Sequence, residues 1–239
     1  MTRPISPYHA ANFYADALSH GRHRDIVGGR WDETGRVQMA VLRDHGLQPH
    51  HHLLDIGAGS LRLGCKAVPY LNPGHYWATD MSGDLMRRGH ETELADPQRL
   101  PPDQLIEDAD FSFAGVPEII THAIAFAVFT HLPAAHLHRA LIQTRAKFPA
   151  LQTLLFTAFL APDAATSLHA FRQPDGVVTH KARAPYHLLG ADVAASAANA
   201  GFAITVRDTR LPRGQVLFAA APNQTDPAAG SGIPHLSPG

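Results

Sequence analysis

The feature that most constrains this chain is a glycine turn that directly follows a short apolar run. Residues 52–56 predict a buried strand, and Gly57-Ala58-Gly59-Ser60 predicts a turn into a helix over residues 61–70. Because glycine has no Cβ, such a turn lets a ligand lie against the backbone. A tight strand–helix connection that binds nothing has the same pattern. Either way, these residues predict the first strand–helix unit of an α/β domain.

Strands and helices are predicted to alternate along the rest of the chain. The predicted strands cover residues 76–79, part of 105–113, 119–129, 151–160, 202–206 and 215–220, and the predicted helices cover residues 82–93, 133–148 and 192–200. This alternation predicts a parallel sheet with right-handed crossovers. The last two strands, joined by a turn at residues 211–214, predict a closing antiparallel pair. Such sheets bind ligands at the carboxyl ends of their strands, beside the first strand.

The length of 239 residues suits one domain with short additions. Two helical patterns, at residues 6–20 and 32–45, predict an N-terminal helical cap over residues 1–46. Residues 47–221 then form the main domain. The Pro- and Gly-rich residues 222–239 predict a flexible tail.

The charge balance excludes several classes of partner. With 20 Lys+Arg against 21 Asp+Glu, the formal charge is −1, which argues against binding a nucleic-acid backbone or an anionic membrane surface. A lone cysteine, Cys65, excludes an internal disulfide framework. No apolar run approaches a membrane span, and the first residues lack a signal-peptide core. We therefore expect a cytoplasmic monomer or homodimer whose partner is a small molecule.

Histidine is enriched, at 17 copies, and two clusters suggest a metal site. The run His50-His51-His52 precedes the first strand and has no carboxylate at ligand spacing. His136 and His138, two apart on a predicted helix, point about 200° apart. We therefore expect no functional metal.

Asp80 lies 25 residues after Asp55 (80 − 55), at the end of the second predicted strand. An acidic residue at this position meets a ribose diol in nucleotide-binding folds, although a carboxylate here also balances the dipole of the following helix. A dinucleotide fingerprint requires a third glycine, and this chain has Arg62 there. The pattern thus favours a nucleotide-type cofactor and disfavours a hydride-transfer enzyme.

Several segments together resemble class I S-adenosylmethionine-dependent methyltransferases. They are residues 53–62 (LLDIGAGSLR), residues 70–76 (YLNPGHY) and Asp80. The chain is more narrowly similar to a bacterial branch with a GSLR turn, here residues 59–62, and a VFTHLP segment, here residues 128–133. Residues 23–31 and 212–215 also resemble that branch. The resemblance covers roughly residues 20–221, and the combination is more specific than any single motif.

The resemblance implies a three-layer, Rossmann-like α/β fold with a seven-stranded, mostly parallel sheet in the order 3-2-1-4-5-7-6 and strand 7 antiparallel. It implies S-adenosylmethionine as the cofactor. The cofactor-binding residues that it implies are Asp55, Gly57, Ala58, Gly59, Arg62, Asp80, Met81, Asp110, Phe111 and Ala127. Of these, Asp80 would hold the ribose and Met81 would lie beside the adenine. The branch often has serine where this chain has Ala127, which removes a hydroxyl next to the reaction centre.

His131, in the VFTHLP segment, is the candidate catalytic residue, because the pKa of histidine suits proton abstraction near neutrality. A loop histidine that caps backbone groups is the alternative. Candidate substrate-binding residues are Tyr14, Trp31, Tyr186, His187 and Arg213. Residues such as these aromatics and His187 are more often packing residues than ligand contacts, and Arg213 fits a solvated turn equally well.

The expected function is methyl transfer from S-adenosylmethionine to a small-molecule acceptor, with O-methylation favoured over N-methylation on the strength of His131 alone. No base is needed if the acceptor is already anionic or a free amine, since alignment is then the main catalytic contribution. Two alternatives stay open. One is an NAD-dependent oxidoreductase, and the other is a non-catalytic partner protein that binds S-adenosylmethionine.

Overall fold

Short strands alternate with helices through most of the chain. The structure is a computed structural model that describes residues 4–207 and 211–223. Its helices are α1 (Phe13–Ser19), α2 (Trp31–Asp44), α3 (Gly64–Tyr70), α4 (Gly83–Glu93), α5 (Ala134–Lys147), α6 (Ala164–Ser167) and α7 (Gly190–Asn199). Its strands are β1 (Leu53–Ile56), β2 (Tyr76–Asp80), β3 (Leu105–Glu107), β4 (His122–Ala125), β5 (Thr153–Ala161), β6 (Phe171–Arg172), β7 (Val178–Thr179), β8 (His187–Leu189), β9 (Phe202–Arg207) and β10 (Val216–Pro222).

The main sheet has the order β3-β2-β1-β4-β5-β10-β9, and β8 pairs with the end of β5 as an eighth strand. Strand β10 runs antiparallel to both β5 and β9, while the pairs among β1 to β5 are parallel. The predicted strand order and the antiparallel strand are therefore confirmed. Within the insert between β5 and α7, β6 and β7 form a separate two-stranded sheet.

Successive residues of β1 face opposite helical layers. Leu53 packs into an apolar cluster with residues of α2, α3 and α4, whereas Leu54 joins a cluster with residues of α5 and α7. Both side chains are fully buried, and burying a leucine contributes about 1.5–3 kcal/mol. The helices on both faces make the three-layer arrangement.

Three predicted elements are shorter than expected, and each is interrupted by a residue in the left-handed region. The helix predicted from Leu61 begins at Gly64, since Leu61 has φ 62°. The helix predicted over residues 6–20 is divided at Asn12 (φ 63°) into a 3-10 turn, Pro7–His9, and α1. Strand β4 ends two residues before Ala127, which has φ 63°.

The tail predicted over residues 222–239 lies outside the described residues, apart from Pro222 and Asn223. Among the helices that the structure describes, none combines the length and apolar character needed to cross a bilayer.

Candidate functional site

A cleft opens at the carboxyl edge of the sheet, where the strand order changes direction between β1 and β4. One half, here called the β1–β3 half, consists of the loops that follow those strands. It contributes Gly57, Ala58, Gly59, Arg62, Asp80, Met81, Asp108, Ala109 and Phe111. The other half, here called the β4–β10 half, consists of the loop after β4, the end of β5 and the turn before β10. It contributes Phe126, Ala127, Thr130, His131, Phe159, Arg213 and Gln215, and the N-terminal segment covers both halves with Tyr8, Tyr14 and Val27.

The turn after β1 requires both of its glycines. Gly57 and Gly59 have φ values of 72° and 58°, which L-residues with side chains rarely adopt. A Cβ at Gly57 would lie 2.5 Å from Cγ2 of Val128, and one at Gly59 would lie 2.6 Å from Cγ1 of Val27. The backbone therefore forms the wall of the cleft itself, with other loops packed closely against it.

Asp80 faces the cleft at the end of β2 and is held by two backbone groups. Its Oδ2 accepts a 2.8 Å hydrogen bond from the amide of Gly59, and its Oδ1 accepts a 3.0 Å bond from the amide of Ser82. Burial raises the pKa of this carboxyl to about 6, against the lowering effect of those two bonds. Asp80 is thus a rigid carboxylate, ionised at neutral pH, with lone pairs left for a ligand.

Asp55 does not line the cleft, in contrast to the sequence-based expectation. Its carboxylate is buried under β1, where Oδ2 accepts a 2.6 Å hydrogen bond from the hydroxyl of Tyr76. Burial raises the pKa of Asp55 to about 7. Residues alternate across a strand, so Asp55 points into the same layer as Leu53 and cannot also reach the ligand space.

The loop after β3 presents Asp108, Ala109 and Phe111 to the cleft, whereas Asp110, the predicted residue, is exposed outside it. The Asp108 carboxylate folds this loop, accepting 3.0 Å and 2.8 Å bonds from the amides of Asp110 and Phe113. Asx turns of this kind are typical of a loop that must reverse direction. Asp108 was missed because nothing in the sequence distinguishes it from Asp110.

His131 lies in the loop after β4 beside Tyr8, with ring centroids 4.8 Å apart and an interplanar angle of 87°. Its Nδ1 is buried without a hydrogen-bond partner among the described residues. Burial, assisted by the positive charge of Arg213, lowers the pKa of His131 to about 4. The imidazole is therefore neutral at physiological pH.

Two arginines hold the N-terminal segment over the cleft. The buried Arg62 donates from Nη1 to the carbonyl oxygens of Val27 (2.8 Å) and Gly29 (3.3 Å). Arg213 donates from Nη2 to the carbonyl oxygen of Gly28 at 2.7 Å. Burial lowers the pKa of Arg62. In place of a third glycine, Arg62 thus links the turn after β1 to the segment that covers it.

Of the five predicted substrate-binding residues, Tyr14 and Arg213 line the cleft and three do not. The face of Trp31 is covered by the guanidinium of Arg24, 5.2 Å from the ring centroid. The hydroxyl of Tyr186 donates to the carbonyl oxygen of Ile5 at 3.0 Å. His187 is buried in the insert, 2.9 Å from the hydroxyl of Thr179 and 3.0 Å from the carbonyl oxygen of Ser167. The contacts of Tyr186 with Ile5 and of His187 with Ser167 join residues 181 and 20 positions apart, which explains why sequence spacing does not separate these two side chains from ligand contacts.

The triple histidine lies at the amino-terminal edge of the sheet, away from the cleft. There the rings stack on neighbours: His52 on His75 with centroids 3.9 Å apart, and His51 on His122 at 4.4 Å. Across residues 4–207 and 211–223, no three His, Cys, Asp or Glu side chains are grouped so that they could hold a metal ion.

The chain matches no protein-family model. Solved structures with the same fold include the magnesium protoporphyrin IX methyltransferase from Synechocystis PCC 6803 with bound S-adenosylmethionine, at 15% identity and a TM-score of 0.60, covering 92% of this chain and 98% of that one. They include the 1,6-didemethyltoxoflavin-N1-methyltransferase from Burkholderia thailandensis with bound S-adenosylhomocysteine, at 15% identity and a TM-score of 0.61, covering 93% of each chain. An O-methyltransferase family protein from Burkholderia thailandensis is 14% identical, with a TM-score of 0.57, and covers 89% of this chain and 63% of that one.

At these identities the likeness establishes the fold alone. The chain has the mixed α/β, Rossmann-like architecture of class I methyltransferases, with a mostly parallel sheet closed by an antiparallel pair. The predicted fold class is therefore confirmed.

Proposed function

We propose that this protein is an S-adenosylmethionine-dependent methyltransferase that acts on a small-molecule acceptor. The observation that carries the proposal is the hydrogen bond between the Gly59 amide and the Asp80 carboxylate. It brings the glycine backbone and a buried carboxylate together in one cleft. Fold-level likeness supports it, because solved structures of this fold contain S-adenosylmethionine or S-adenosylhomocysteine.

The residues of the β1–β3 half fit this cofactor. Gly57, Ala58 and Gly59 would surround its methionine part, since this turn lines the cleft and its two glycines have no side chain to obstruct a ligand. Asp80 would accept hydrogen bonds from the ribose hydroxyls, as a strand-end carboxylate does in nucleotide-binding folds.

The adenine would lie between Met81 and Phe111, with Asp108 and Ala109 at its edge in place of Asp110. Arg62 would act on the cofactor indirectly, by holding the covering segment at Val27 and Gly29. When bound, the cofactor supplies an electrophilic methyl group.

The β4–β10 half would hold the acceptor. Phe126 and Ala127, after β4, would lie nearest the methyl group, and Tyr14 and Arg213 would line the acceptor space. Residues 1–46 would cover a methyltransferase domain of residues 47–221. In-line alignment of the acceptor would make the largest contribution to the rate.

His131 would act as a neutral hydrogen-bond acceptor toward the acceptor's proton. Because its pKa is lowered to about 4, it is a weak base and assists only acceptors whose O–H or N–H is acidic. This favours acidic hydroxyls over simple alcohols, and O-methylation is preferred because a free amine would make no use of such a base. Proteins of this fold include an N1-methyltransferase and an O-methyltransferase family protein.

Ligand binding distinguishes this proposal from an oxidoreductase. Thermal unfolding would be followed with S-adenosylmethionine, S-adenosylhomocysteine and NAD, each at the same millimolar concentration. A ligand that binds only the folded state stabilises it in proportion to RT ln(1 + [L]/Kd). We expect both sulfur compounds, and not NAD, to raise the melting temperature. Stabilisation by NAD alone would overturn the proposal, and binding without turnover in a broad acceptor panel would indicate a non-catalytic binding protein.

A further inference from the structure

The turn before β10 presents a side chain whose orientation is fixed by a buried hydrogen-bond chain. The amide of Ala127 donates to Oγ1 of Thr157 at 2.8 Å, and the Thr157 hydroxyl donates to Oε1 of Gln215 at 2.6 Å. A backbone N–H can only donate, so the threonine proton is free for the glutamine oxygen. The chain therefore connects the loop after β4, the middle of β5 and the start of β10.

This chain leaves the other end of the Gln215 carboxamide for a ligand. Gln215 is buried and lines the cleft, and its Oε1 is already used by Thr157. Nε2 carries two N–H donors, and no acceptor for them is found among the residues that the structure describes. A donor held in place by a buried partner loses little entropy when it binds a ligand.

Arg213 is the charged residue of the β4–β10 half. The cleft-lining carboxylates, Asp80 and Asp108, both follow strands of the β1–β3 half. Arg213, two residues before Gln215, lines the β4–β10 half, and its Nη2 is fixed by the carbonyl oxygen of Gly28. The positive charge of Arg213 also contributes to the lowered pKa of His131, which places its field within the acceptor space.

We infer that Gln215 is an acceptor-binding residue and that the acceptor is a planar, anionic compound which presents a carboxylate or phenolate oxygen to Gln215 and Arg213. The inference rests on the proposed function and specifies its substrate class. Tyr8, Tyr14 and Phe159 line the cleft, and aromatic side chains suit an aromatic ligand. Thr157 is a positioning residue, which acts through Gln215.

The test is fragment binding by ligand-observed NMR, in protein with and without saturating S-adenosylhomocysteine. The probes are 2-naphthoate for a carboxylate, 4-nitrophenolate for a phenolate and 2-naphthylmethylammonium as the cation. We expect at least one of the two anions to bind at least tenfold more tightly than the ammonium compound. Equal or tighter binding of the cation, or failure of both anions to bind, would overturn the inference.

Variants test whether Gln215 is responsible for the preference for anionic over cationic fragments. Gln215→Glu keeps an oxygen for Thr157 but turns the donor into an anion, so the anion preference should fall at least tenfold. The same change at Gln152, an exposed residue just before β5 at the opposite edge of the sheet, should leave it unchanged. Thr157→Val should weaken the preference and Thr157→Ser should restore it. An unchanged preference in Gln215→Glu contradicts the inference, whereas failure of the wild type to bind S-adenosylhomocysteine contradicts the proposed function instead.

Discussion

The amide of Gly59 donates a 2.8 Å hydrogen bond to Oδ2 of Asp80, which joins the turn after β1 to the end of β2. The two residues are 21 positions apart in the chain, and the bond fixes the carboxylate against the wall of the cleft. The amide of Ser82 holds the other oxygen from the side of α4. A ligand that reaches the turn therefore meets a carboxylate that is already oriented.

Cofactor affinity should fall in acid because of Asp80. Burial raises the pKa of its carboxyl to about 6, so protonation below that pH removes the anion that would bind the ribose hydroxyls. We expect the affinity for S-adenosylhomocysteine to be constant above pH 7 and to fall by up to about tenfold per pH unit below 6. Calorimetric titrations between pH 5 and 8 measure this. The Asp80→Asn variant should lose the pH dependence, and a wild-type affinity that is flat down to pH 5 would refute it.

Asp55→Asn should stabilise the protein at neutral pH. Burial raises the folded-state pKa of Asp55 to about 7, well above the usual value for an aspartate, so its favourable contribution is present below about pH 4 and is lost as the pH rises to 7. Asparagine keeps an oxygen for the Tyr76 hydroxyl and cannot ionise. We expect the free energy of unfolding at pH 8 to rise by about 1–4 kcal/mol in urea titrations.

The Asp55→Asn variant also tests whether Asp55, unlike Asp80, has no part in binding the cofactor. Because Asp55 faces away from the cleft, S-adenosylhomocysteine should bind Asp55→Asn within about twofold of the wild-type affinity. A large loss of affinity would show that Asp55 reaches the ligand. A large loss of stability would show that its ionised form is needed for folding.

Gly89→Ala should loosen the glycine turn. A Cβ at Gly89, on α4, would overlap the backbone carbonyl of Ser60, so the helix or the turn must move. We expect a loss of about 1–3 kcal/mol in the free energy of unfolding and weaker binding of S-adenosylhomocysteine. Gly190→Ala is the matched control, because the nearest atom to its Cβ is 3.9 Å away on Leu160. Equal stabilities of the two variants would contradict this account.

His131 should titrate well below the ordinary range of a histidine side chain. Its pKa of about 4 results from burial and from Arg213, so its contribution to stability is complete above about pH 6.5 and is lost as the pH falls toward 4. NMR titration of imidazole nitrogens, assigned with a His131→Gln variant, measures the value. Arg213→Gln should raise the pKa of His131, since it removes a nearby positive charge. A wild-type pKa near 6.5 would refute the buried, neutral imidazole.

Local patterns predicted most of the fold. The apolar run before Gly57, the glycine turn and the capping Ser82 depend on neighbouring residues, and strand alternation then constrains the sheet. The left-handed conformation of Leu61 was not predictable, because leucine rarely adopts it. The same limit explains why the helix start was placed three residues too early.

Site residues were predictable only where a recognisable motif residue lies at the end of a strand, as Gly59 and Asp80 do. The contact between Thr157 and Gln215 spans 58 residues, so no local pattern indicates it. Tyr186 and His187 have side chains suited to ligands, but they make hydrogen bonds to carbonyl oxygens of other segments, at Ile5 and Ser167. The type of side chain therefore indicated which residues were candidates, but tertiary packing determines which of them line the cleft.

Calorimetric titration of the wild type and of Asp80→Ala with S-adenosylhomocysteine tests the central claim most directly. The account predicts one binding site per chain in the wild type and at least a tenfold weaker affinity in Asp80→Ala, because a charged hydrogen bond to a ligand contributes about 1.5–3 kcal/mol. Circular dichroism should show that the variant keeps its fold. No binding by the folded wild type, or equal binding by both proteins, would contradict the account.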